Sequence, residues 1–309
     1  SILGHEIVGH IVEIGSEIKN DFSGNRLEKG DRVVWSMTAS CGECFFCKVA
    51  KIPQKCEKLF KYGHVASGEP PHFTGGFAEY VLLPKGSSIF KIPRELSDEE
   101  VAPLMCAGAC IINGFDMAKL GNCDYVLVQG CGALGMYSCA FAKESGAVNV
   151  IAIDPIKKRL ELAKEFGADY VINASEETEE SIISKVMEIT QNRGADYGIE
   201  TAGKPEVIRS GFKMLRIGGK YMIFGAIYPG DNVTIDSHDL TTKCLQLFGI
   251  HNYSPIHLEK TIKLMQKARE KYPFKKLVGP TFELSKEGVE SALKAQKSRD
   301  ALRPAIIPK

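Results

Sequence analysis

The sequence predicts an α/β protein in which a β-rich domain is combined with a doubly wound parallel sheet. The first hundred residues contain short alternating apolar runs bounded by turn residues, whereas residues 124–226 alternate between apolar strands and helical segments. A glycine motif of GxGxxG spacing joins the first of those strands to a helix. Because 309 residues exceed what one hydrophobic core usually supports, we expect two domains.

The composition narrows the class of partner. The 39 basic residues nearly cancel the 38 acidic ones and no basic run forms a face, which argues against nucleic acid binding. No apolar stretch approaches the roughly 20 residues that span a bilayer, and the first residues do not resemble a secretory signal. Clustered cysteines at CxxC spacing in so long a chain favour metal or redox chemistry over structural disulfides. We therefore expect a small-molecule substrate, no nucleic acid or membrane partner, and a cytoplasmic location.

Three segments among the first hundred residues predict strands. EIVGHIVEIG, GDRVVWS and GGFAEYVLLP alternate apolar and polar residues between turn residues, so we expect small antiparallel sheets. The SDEE segment places Ser97 three residues before Glu100, which is the signature of a helix capping box. A mostly apolar pattern follows to about Lys119 and predicts one long helix.

The chain from Asp124 onward alternates strand and helix. Its strand segments are almost continuously apolar, which is typical of a parallel sheet covered on both faces. The predicted strands cover residues 124–130, 148–154, 169–174, 196–203 and 220–226. The predicted helices cover residues 133–146, 156–167, 176–191 and 207–215, and the tail adds helices at 257–269 and 286–297 and a strand at PAIIP.

The segment VLVQGCGALGMYS predicts a dinucleotide-binding loop. Its glycines permit a tight turn and a close backbone approach, and the helix that follows offers free N–H groups to a pyrophosphate. The strand before the motif and the helix after it make this prediction specific. We expect the pyrophosphate to contact Gly130, Gly132, Ala133, Leu134 and Gly135.

Asp154 ends the second predicted strand, about 20 residues after the glycine motif. Its carboxylate would accept hydrogen bonds from the adenosine ribose and would repel a 2′-phosphate, so we expect NAD rather than NADP. Arg159 is predicted to reach the same ribose. The alternatives are that Asp154 only begins a turn before Pro155 and that Arg159 is a solvated helix residue.

The segment CGECFFCKVAKIPQKC brings four cysteines into a turn-rich lobe: Cys41, Cys44, Cys47 and Cys56. Four thiolates at this spacing can close a tetrahedron around one Zn²⁺ and leave no open position, so we predict a structural zinc. A redox disulfide, which needs only two of them, is one alternative. A nucleic-acid-binding finger, which usually carries basic and aromatic neighbours, is another.

The motifs of the whole chain, in their order, resemble those of zinc-dependent medium-chain alcohol dehydrogenases. They are GHE, GDRVV, the four-cysteine lobe, GGFAEYV, LMCAGAC, GCGALG and LRPAII. The resemblance implies a GroES-like catalytic domain over residues 1–107, incomplete at its amino terminus, and a Rossmann NAD-binding domain over residues 108–253. Residues 254–309 would return to the catalytic domain. We also expect a homodimer or homotetramer.

The resemblance also assigns roles to single residues. It implies that His5 and Cys106 are catalytic zinc ligands and that Glu6 is a supporting group or an alternative ligand. It further implies that Arg303 contacts the cofactor pyrophosphate, the alternative being an ordinary surface arginine. The family's first zinc ligand and the hydroxyl residue of its proton relay would precede Ser1, so we expect an amino-terminally truncated chain.

The implied function is hydride transfer between NAD and a primary, secondary or polyol alcohol at a catalytic zinc. One alternative is a polyol or amino-alcohol dehydrogenase of the same family that uses Glu6 more directly at the metal. Another is a non-catalytic dinucleotide-binding homologue without a complete catalytic zinc site. Residues 33–64 are most similar to a subgroup associated with phosphonate catabolism. Because one ligand would be missing, we expect about one tightly bound zinc and poor alcohol oxidation.

Overall fold

A computed structural model describes residues 1–226, 228–230, 232–298 and 301–308. The strands in this part of the chain are β1 Gly9–His10, β2 Arg32–Trp35, β3 Thr38–Ala39, β4 Phe60–Lys61, β5 Ile89–Lys91, β6 Cys123–Gln129, β7 Ala147–Asp154, β8 Tyr170–Asn173, β9 Ala195–Glu200, β10 Leu215–Ile223, β11 Gln246–Gly249, β12 Val278–Glu283 and β13 Arg303–Ile307. The helices are α1 Phe45–Lys48, α2 Asp98–Val101, α3 Ala107–Ala118, α4 Ala133–Glu144, α5 Lys157–Glu165, α6 Glu179–Ile189, α7 Pro205–Lys213, α8 Ser237–Thr242, α9 Pro255–Ala268 and α10 Lys286–Ser298.

The chain divides into two compact units. The first contains Ser1–Ala109, Asn252–Arg269 and Phe274–Lys309, and the second contains Cys110–His251 and Glu270–Pro273. A compact unit is not thereby an independently folding domain, so the domain boundaries expected from the sequence stay predictions.

The first unit is rich in short β structure. β1, β2 and β5 form an antiparallel sheet, β3 pairs with β4 in antiparallel register, and β12 pairs with β13 in parallel register. The predicted antiparallel pairing of GDRVVWS is therefore confirmed. The tail strand predicted at PAIIP corresponds to β13, whose partner β12 carried no sequence prediction.

Two of the predicted strands in this unit were wrong in extent. EIVGHIVEIG contains only the two-residue strand β1, and GGFAEYVLLP contains none. The backbone of GGFAEYVLLP instead forms isolated hydrogen bonds with the start of the chain. Gly76 N donates to Gly4 O at 2.9 Å, and Phe77 N donates to Leu3 O at 2.8 Å. Isolated bonds of this kind satisfy the backbone without building a strand ladder.

The long helix predicted after Ser97 is interrupted. The capping box is present, with Ser97 N donating to Glu100 Oε2 at 2.8 Å, but α2 ends after one turn and a 3₁₀ helix from Ala102 to Met105 follows. Proline has no N–H and clashes with the preceding turn, so Pro103 accounts for this change. Cys106 lies in the break before α3 and has non-helical backbone angles.

The second unit is built on a six-stranded sheet in the order β11-β10-β9-β6-β7-β8. Every pairing in it is parallel, and helices connect successive strands. Numbered from β6, this is the order 3-2-1-4-5-6 of a doubly wound dinucleotide-binding sheet, whose strand order reverses between β6 and β9. The predicted fold class is confirmed.

Apolar side chains of the strands form the core of this unit. Leu127 of β6 and Ile151 of β7 have no solvent exposure and pack in one cluster with Val186 of α6, Phe212 of α7 and Tyr221 of β10. Strands buried on both faces need such continuous apolar sequence, which is why the apolar runs located them.

Among the residues that the structure describes, no single helix is both long and apolar enough to cross a membrane. The helices Asp98–Met105 and Ala107–Ala118, bent by 53°, meet the same test of length and composition only when taken together.

Candidate functional site

The four clustered cysteines lie on a lobe of tight turns. Cys44 precedes α1, Cys47 lies within it, and Cys56 follows a short 3₁₀ helix. Gly42 has a φ of 73° and thereby permits the turn after Cys41 that a side chain would strain. The local chain path therefore brings all four side chains to one point.

The spacing of the four sulfur atoms matches a zinc tetrahedron. The Sγ atoms of Cys41 and Cys56 are 3.4 Å apart, those of Cys44 and Cys47 are 3.5 Å apart, and those of Cys44 and Cys56 are 3.9 Å apart. A Zn–S distance of about 2.3 Å requires sulfur atoms about 3.8 Å apart, whereas a disulfide bond would bring two of them to about 2.0 Å. The donor set thus fits one zinc ion, and the cysteines are free thiols rather than disulfides.

Backbone N–H groups point at these sulfur atoms. Cys56 Sγ accepts from Cys41 N at 3.2 Å and from Lys58 N at 3.3 Å. The backbone N–H of Glu57 is the main cause that lowers the pKa of the Cys44 thiol to about 6. Donors that favour the thiolate also favour the form that binds metal.

His5, Glu6 and Cys106 form a second group whose ligand atoms lie within 4.8 Å of one another. Gly4 before them has a φ of 89°, and a Cβ on it would lie 3.2 Å from the backbone of Gly76, so the segment requires glycine there. The described residues thus bring together the ligands that the family resemblance implied.

Two sets of contacts hold Met105, the residue before Cys106, in place. Ile7 N approaches Met105 Sδ at 3.2 Å, which ties the segment after Glu6 to the residue before Cys106. The hydroxyl of Tyr253 donates to Met105 O and accepts from Met37 N at 3.1 Å. The break in the helix therefore rests on a buried tyrosine of the same unit.

Burial controls the protonation of this cluster. It is the largest cause that lowers the pKa of His5 to about 4, followed by the charges of His64, Lys61 and Arg303. Burial and the charge of Glu6 raise the pKa of the Cys106 thiol to about 12. His5 is accordingly a neutral imidazole, the form that binds zinc, while Cys106 must lose a proton to become a ligand.

Glu6 is paired with Arg303. Arg303 Nε lies 3.0 Å from one carboxylate oxygen of Glu6 and 3.2 Å from the other. Burial raises the pKa of Glu6, and the neighbouring guanidinium opposes that rise. The structure thus places Arg303 at the candidate metal cluster, and its expected contact with a cofactor pyrophosphate stays a prediction.

The sequence interpretation missed two residues beside the cluster. The ring of His64 lies 5.1 Å from the ring of His5, and Lys61 is close enough to lower the pKa of both His5 and Cys106 by its charge. A Cβ on Gly63 would lie 2.8 Å from Gly4 O, so the turn that holds both residues packs tightly against the start of the chain. The KYGH segment carries no periodic signal that could have revealed this contact.

The predicted glycine-rich loop joins β6 to α4 at the reversal of strand order. Gly130 has a φ of 98°, and a Cβ on Gly135 would lie 1.9 Å from Gly130 O, so both positions require glycine. Gly132 caps α4, and a Cβ on it would meet no atom within 4 Å. Ala133 and Leu134 form the first turn of that helix, whose N–H groups are the donors that a pyrophosphate needs.

Asp154 ends β7 beside this loop. Its carboxylate accepts Cys131 N at 2.7 Å and Ile156 N at 2.8 Å, and the residue is 4% exposed. Arg159 is half-buried in α5, and its charge opposes the rise in the pKa of the Cys131 thiol that burial causes. The carboxylate of Asp154 is thus bonded to the glycine-rich loop, and the expected contacts of Asp154 and Arg159 with an adenosine ribose stay predictions.

Comparison with known proteins finds alcohol dehydrogenase and zinc-binding dehydrogenase relatives over most of the chain. Residues 1–94 match the family model described as the alcohol dehydrogenase GroES-like domain, and residues 133–267 match that of the zinc-binding dehydrogenases. An alcohol dehydrogenase structure from Thermotoga maritima superposes with a TM-score of 0.94 at 33% identity, covering 100% of this chain and 84% of that one.

Two curated relatives have different substrates in their names. The chain is 29% identical to 5-exo-hydroxycamphor dehydrogenase of Pseudomonas putida, over 99% of this chain and 83% of the relative. It is 34% identical to L-threonine 3-dehydrogenase of Pyrococcus horikoshii, over 81% of this chain and 66% of the relative.

Proposed function

The chain belongs to the zinc-dependent medium-chain alcohol dehydrogenase family of NAD-dependent oxidoreductases, and we propose that it interconverts an alcohol and its carbonyl compound. The observation that carries this proposal is the close approach of the ligand atoms of His5, Glu6 and Cys106. When bound, zinc supplies Lewis acidity toward the substrate oxygen, and NAD supplies the hydride acceptor.

The residues of the chain have distinct tasks in this proposal. His5, kept neutral by burial, and Cys106, once deprotonated, hold the catalytic zinc. Arg303 keeps Glu6 in place beside them. The cysteines of the lobe hold a second, structural zinc whose four protein ligands leave no position for substrate.

The cofactor would be held in the second unit. The glycine-rich loop and the first turn of α4 offer N–H groups to the pyrophosphate, and Asp154 faces the adenosine ribose. Arg159 and Arg303 are the proposed cationic contacts of the cofactor, supported respectively by the effect of the Arg159 charge on the pKa of the Cys131 thiol and by the family resemblance of LRPAII.

A second candidate is an amino-alcohol or polyol dehydrogenase of the same family. It is favoured by the similarity to L-threonine 3-dehydrogenase and by the position of Glu6, whose carboxylate lies within 4.8 Å of the ligand atoms of His5 and Cys106. The resemblance to a subgroup associated with phosphonate catabolism stays a prediction.

We further propose a homodimer or homotetramer in the cytoplasm, where free thiols such as those of this chain persist.

The proposal is tested by measuring the reduction of NAD by the zinc-loaded protein with primary, secondary, polyol and amino alcohols. Cys106→Ser is expected to abolish the reaction, because a hydroxyl is a poor zinc ligand. Cys244→Ser, at an exposed cysteine, is the matched control and should leave the rate unchanged. Because the sequence predicts poor alcohol oxidation, a low rate that Cys106→Ser abolishes supports the proposal. No detectable rate in the unmutated protein, or an active Cys106→Ser variant, would contradict it.

A further inference from the structure

Glu200 is a buried carboxylate at the carboxyl end of β9. It is the last residue of that strand and has no solvent exposure. β9 lies next to β6, so Glu200 stands at the point where the strand order of the sheet reverses. No task assigned above uses this residue.

The carboxylate is bonded to the backbone of two different loops. One oxygen accepts the N–H of Gly203, in the loop after β9, and the other accepts Gly225 N, in the loop after β10, at 3.1 Å. The N–H of Ala202 also bonds to it. One side chain therefore joins the ends of two neighbouring strands.

The two loops are pressed together at this point. A Cβ on Gly225 would lie 2.3 Å from Gly203 N and 2.9 Å from Glu200 Oε1, and a Cβ on Gly203 would lie 2.6 Å from Gly225 O. Gly203 also has a φ of 70°. No other residue type fits either position without moving the loops.

The same loop is bonded to the glycine-rich loop on its other side. The Thr201 hydroxyl donates to Gly130 O at 2.7 Å, and Thr201 N donates to Gln129 O at 2.9 Å. A Cβ on Gly130 would approach Ala202 N at 2.9 Å. The loops after β6, β9 and β10 therefore form one connected edge.

The carboxylate of Glu200 is buried, and burying a charged carboxylate costs free energy. Burial raises its pKa, whereas the backbone N–H groups of both loops oppose that rise. Among the described residues, no lysine or arginine forms an ion pair with it. A buried carboxylate is costly unless its oxygens are hydrogen-bonded. The ionised form of Glu200 therefore depends on the arrangement of the two loops, and that arrangement depends on the carboxylate.

We propose that Glu200 is a positioning residue for the nicotinamide half of NAD, which it serves by fixing the loops after β9 and β10. In this strand order a dinucleotide crosses the carboxyl edge of the sheet at the reversal point. Asp154 places the adenosine half on the β7 side, so the other half extends over β9 and β10. The inference rests on the proposed use of NAD.

The test measures binding by calorimetry with two ligands, NADH and AMP. AMP contains only the adenosine half of the cofactor, so it lacks the part that is proposed to contact the loops after β9 and β10. Glu200→Gln keeps the size of the side chain but presents an amide N–H₂ to backbone donors. We expect the Kd for NADH to rise roughly ten- to hundredfold, the loss of a charge-assisted bond, with the Kd for AMP unchanged.

Glu206→Gln is the matched control, because Glu206 is an exposed carboxylate in the following helix. It should change neither Kd. Unchanged NADH binding in Glu200→Gln overturns the proposal, and so does an equal loss for NADH and AMP, which would mark general damage to the sheet. If the unmutated protein binds no NADH, the proposed function fails and this inference fails with it.

A second variant applies if Glu200→Gln does not fold. Gly225→Ala leaves Glu200 intact and forces the two loops apart, because its Cβ would meet Gly203. The same selective loss of NADH binding is expected. Failure of both variants to fold would show that Glu200 serves stability alone and would overturn the proposal.

Discussion

Arg303 Nε lies 3.0 Å from Glu6 Oε2, so an ion pair joins two residues that stand 297 positions apart in the chain. Both side chains are largely withdrawn from solvent, with exposures of 26% for Arg303 and 17% for Glu6. Arg303→Met is expected to lower the free energy of unfolding by about 1–3 kcal/mol, because it leaves a buried carboxylate without its partner. Urea unfolding followed by the fluorescence of Trp35 measures the change.

The control for Arg303 is a double-mutant cycle with Glu6→Gln, which removes the carboxylate charge. If the ion pair carries the effect, Glu6→Gln should recover much of the stability lost in Arg303→Met. Arg193→Met, which breaks an exposed pair with Asp124, should change the stability by at most about 1 kcal/mol. Additive effects of the Glu6 and Arg303 substitutions would contradict the prediction.

Cys44→Ser is expected to remove one tightly bound zinc per chain and to destabilise the cysteine lobe. Its sulfur lies 3.5 Å from that of Cys47 and 3.9 Å from that of Cys56, so its loss opens the tetrahedron. Metal binding and local folding are linked, so a strong chelator should have the same effect on the unmutated protein. Metal analysis and the unfolding curve check this, and a Cys44→Ser protein that keeps its zinc and folds normally would refute it.

Asp154→Asn is expected to weaken the preference for NAD over NADP by roughly tenfold, because the charge that repels a 2′-phosphate is gone. The asparagine oxygen can still accept a backbone N–H, so the bonds from Cys131 and Ile156 are only partly lost. Calorimetric titration with both cofactors measures the ratio of their Kd values. Equal or tighter NADP binding by the unmutated protein would show that Asp154 does not select the cofactor.

When no zinc is bound to His5, Glu6 and Cys106, His5 makes the free energy of unfolding depend on pH. Its pKa falls to about 4 in the folded protein, chiefly by burial, and returns to about 6.5 in the unfolded chain. The unfolded state therefore binds more protons between these values. The stabilising contribution is present above about pH 6.5 and is lost as the pH falls toward 4, by about 3 kcal/mol at most.

The measurement compares Cys106→Ser with Cys106→Ser/His5→Gln at a series of pH values. The first substitution keeps zinc out of the catalytic cluster without altering the ligands of the lobe, so the difference between the two proteins reports His5. That difference in unfolding free energy should decline from pH 6.5 to 4. Adding His10→Gln to Cys106→Ser instead, at an exposed histidine on β1, is the control and should leave the pH dependence unchanged. A flat difference for His5 would contradict the prediction.

The doubly wound sheet was predictable because each of its strands is buried on both faces. Burial of that kind requires a continuous apolar run, as in YVLV of β6, and the glycine motif marks which strand comes first. The clustering of the four cysteines of the lobe was predictable for a different reason. All four stand close together in sequence, so the local spacing alone restricts the geometry they can form.

The details that sequence could not supply depend on distant contacts. The segment GGFAEYVLLP has the alternation of a strand, but its backbone bonds to residues at the start of the chain in place of a ladder. The proximity of His64 to His5 and the pairing of Arg303 with Glu6 follow from the fold and leave no mark in either local sequence. The break at Cys106, by contrast, was predictable from Pro103. The apolar pattern around this proline instead led to the prediction of one long helix.

The separation of contacting residues along the chain sets the order in which the cysteine lobe and the Glu6–Arg303 ion pair can form during synthesis. Cys41 and Cys56 are only 15 positions apart, so closing the lobe costs little chain entropy and needs no residue made later. Glu6 can form its ion pair only after Arg303, 297 positions further on, has been synthesised. A nascent chain can therefore bring the four cysteines together long before the ion pair between Glu6 and Arg303 can form.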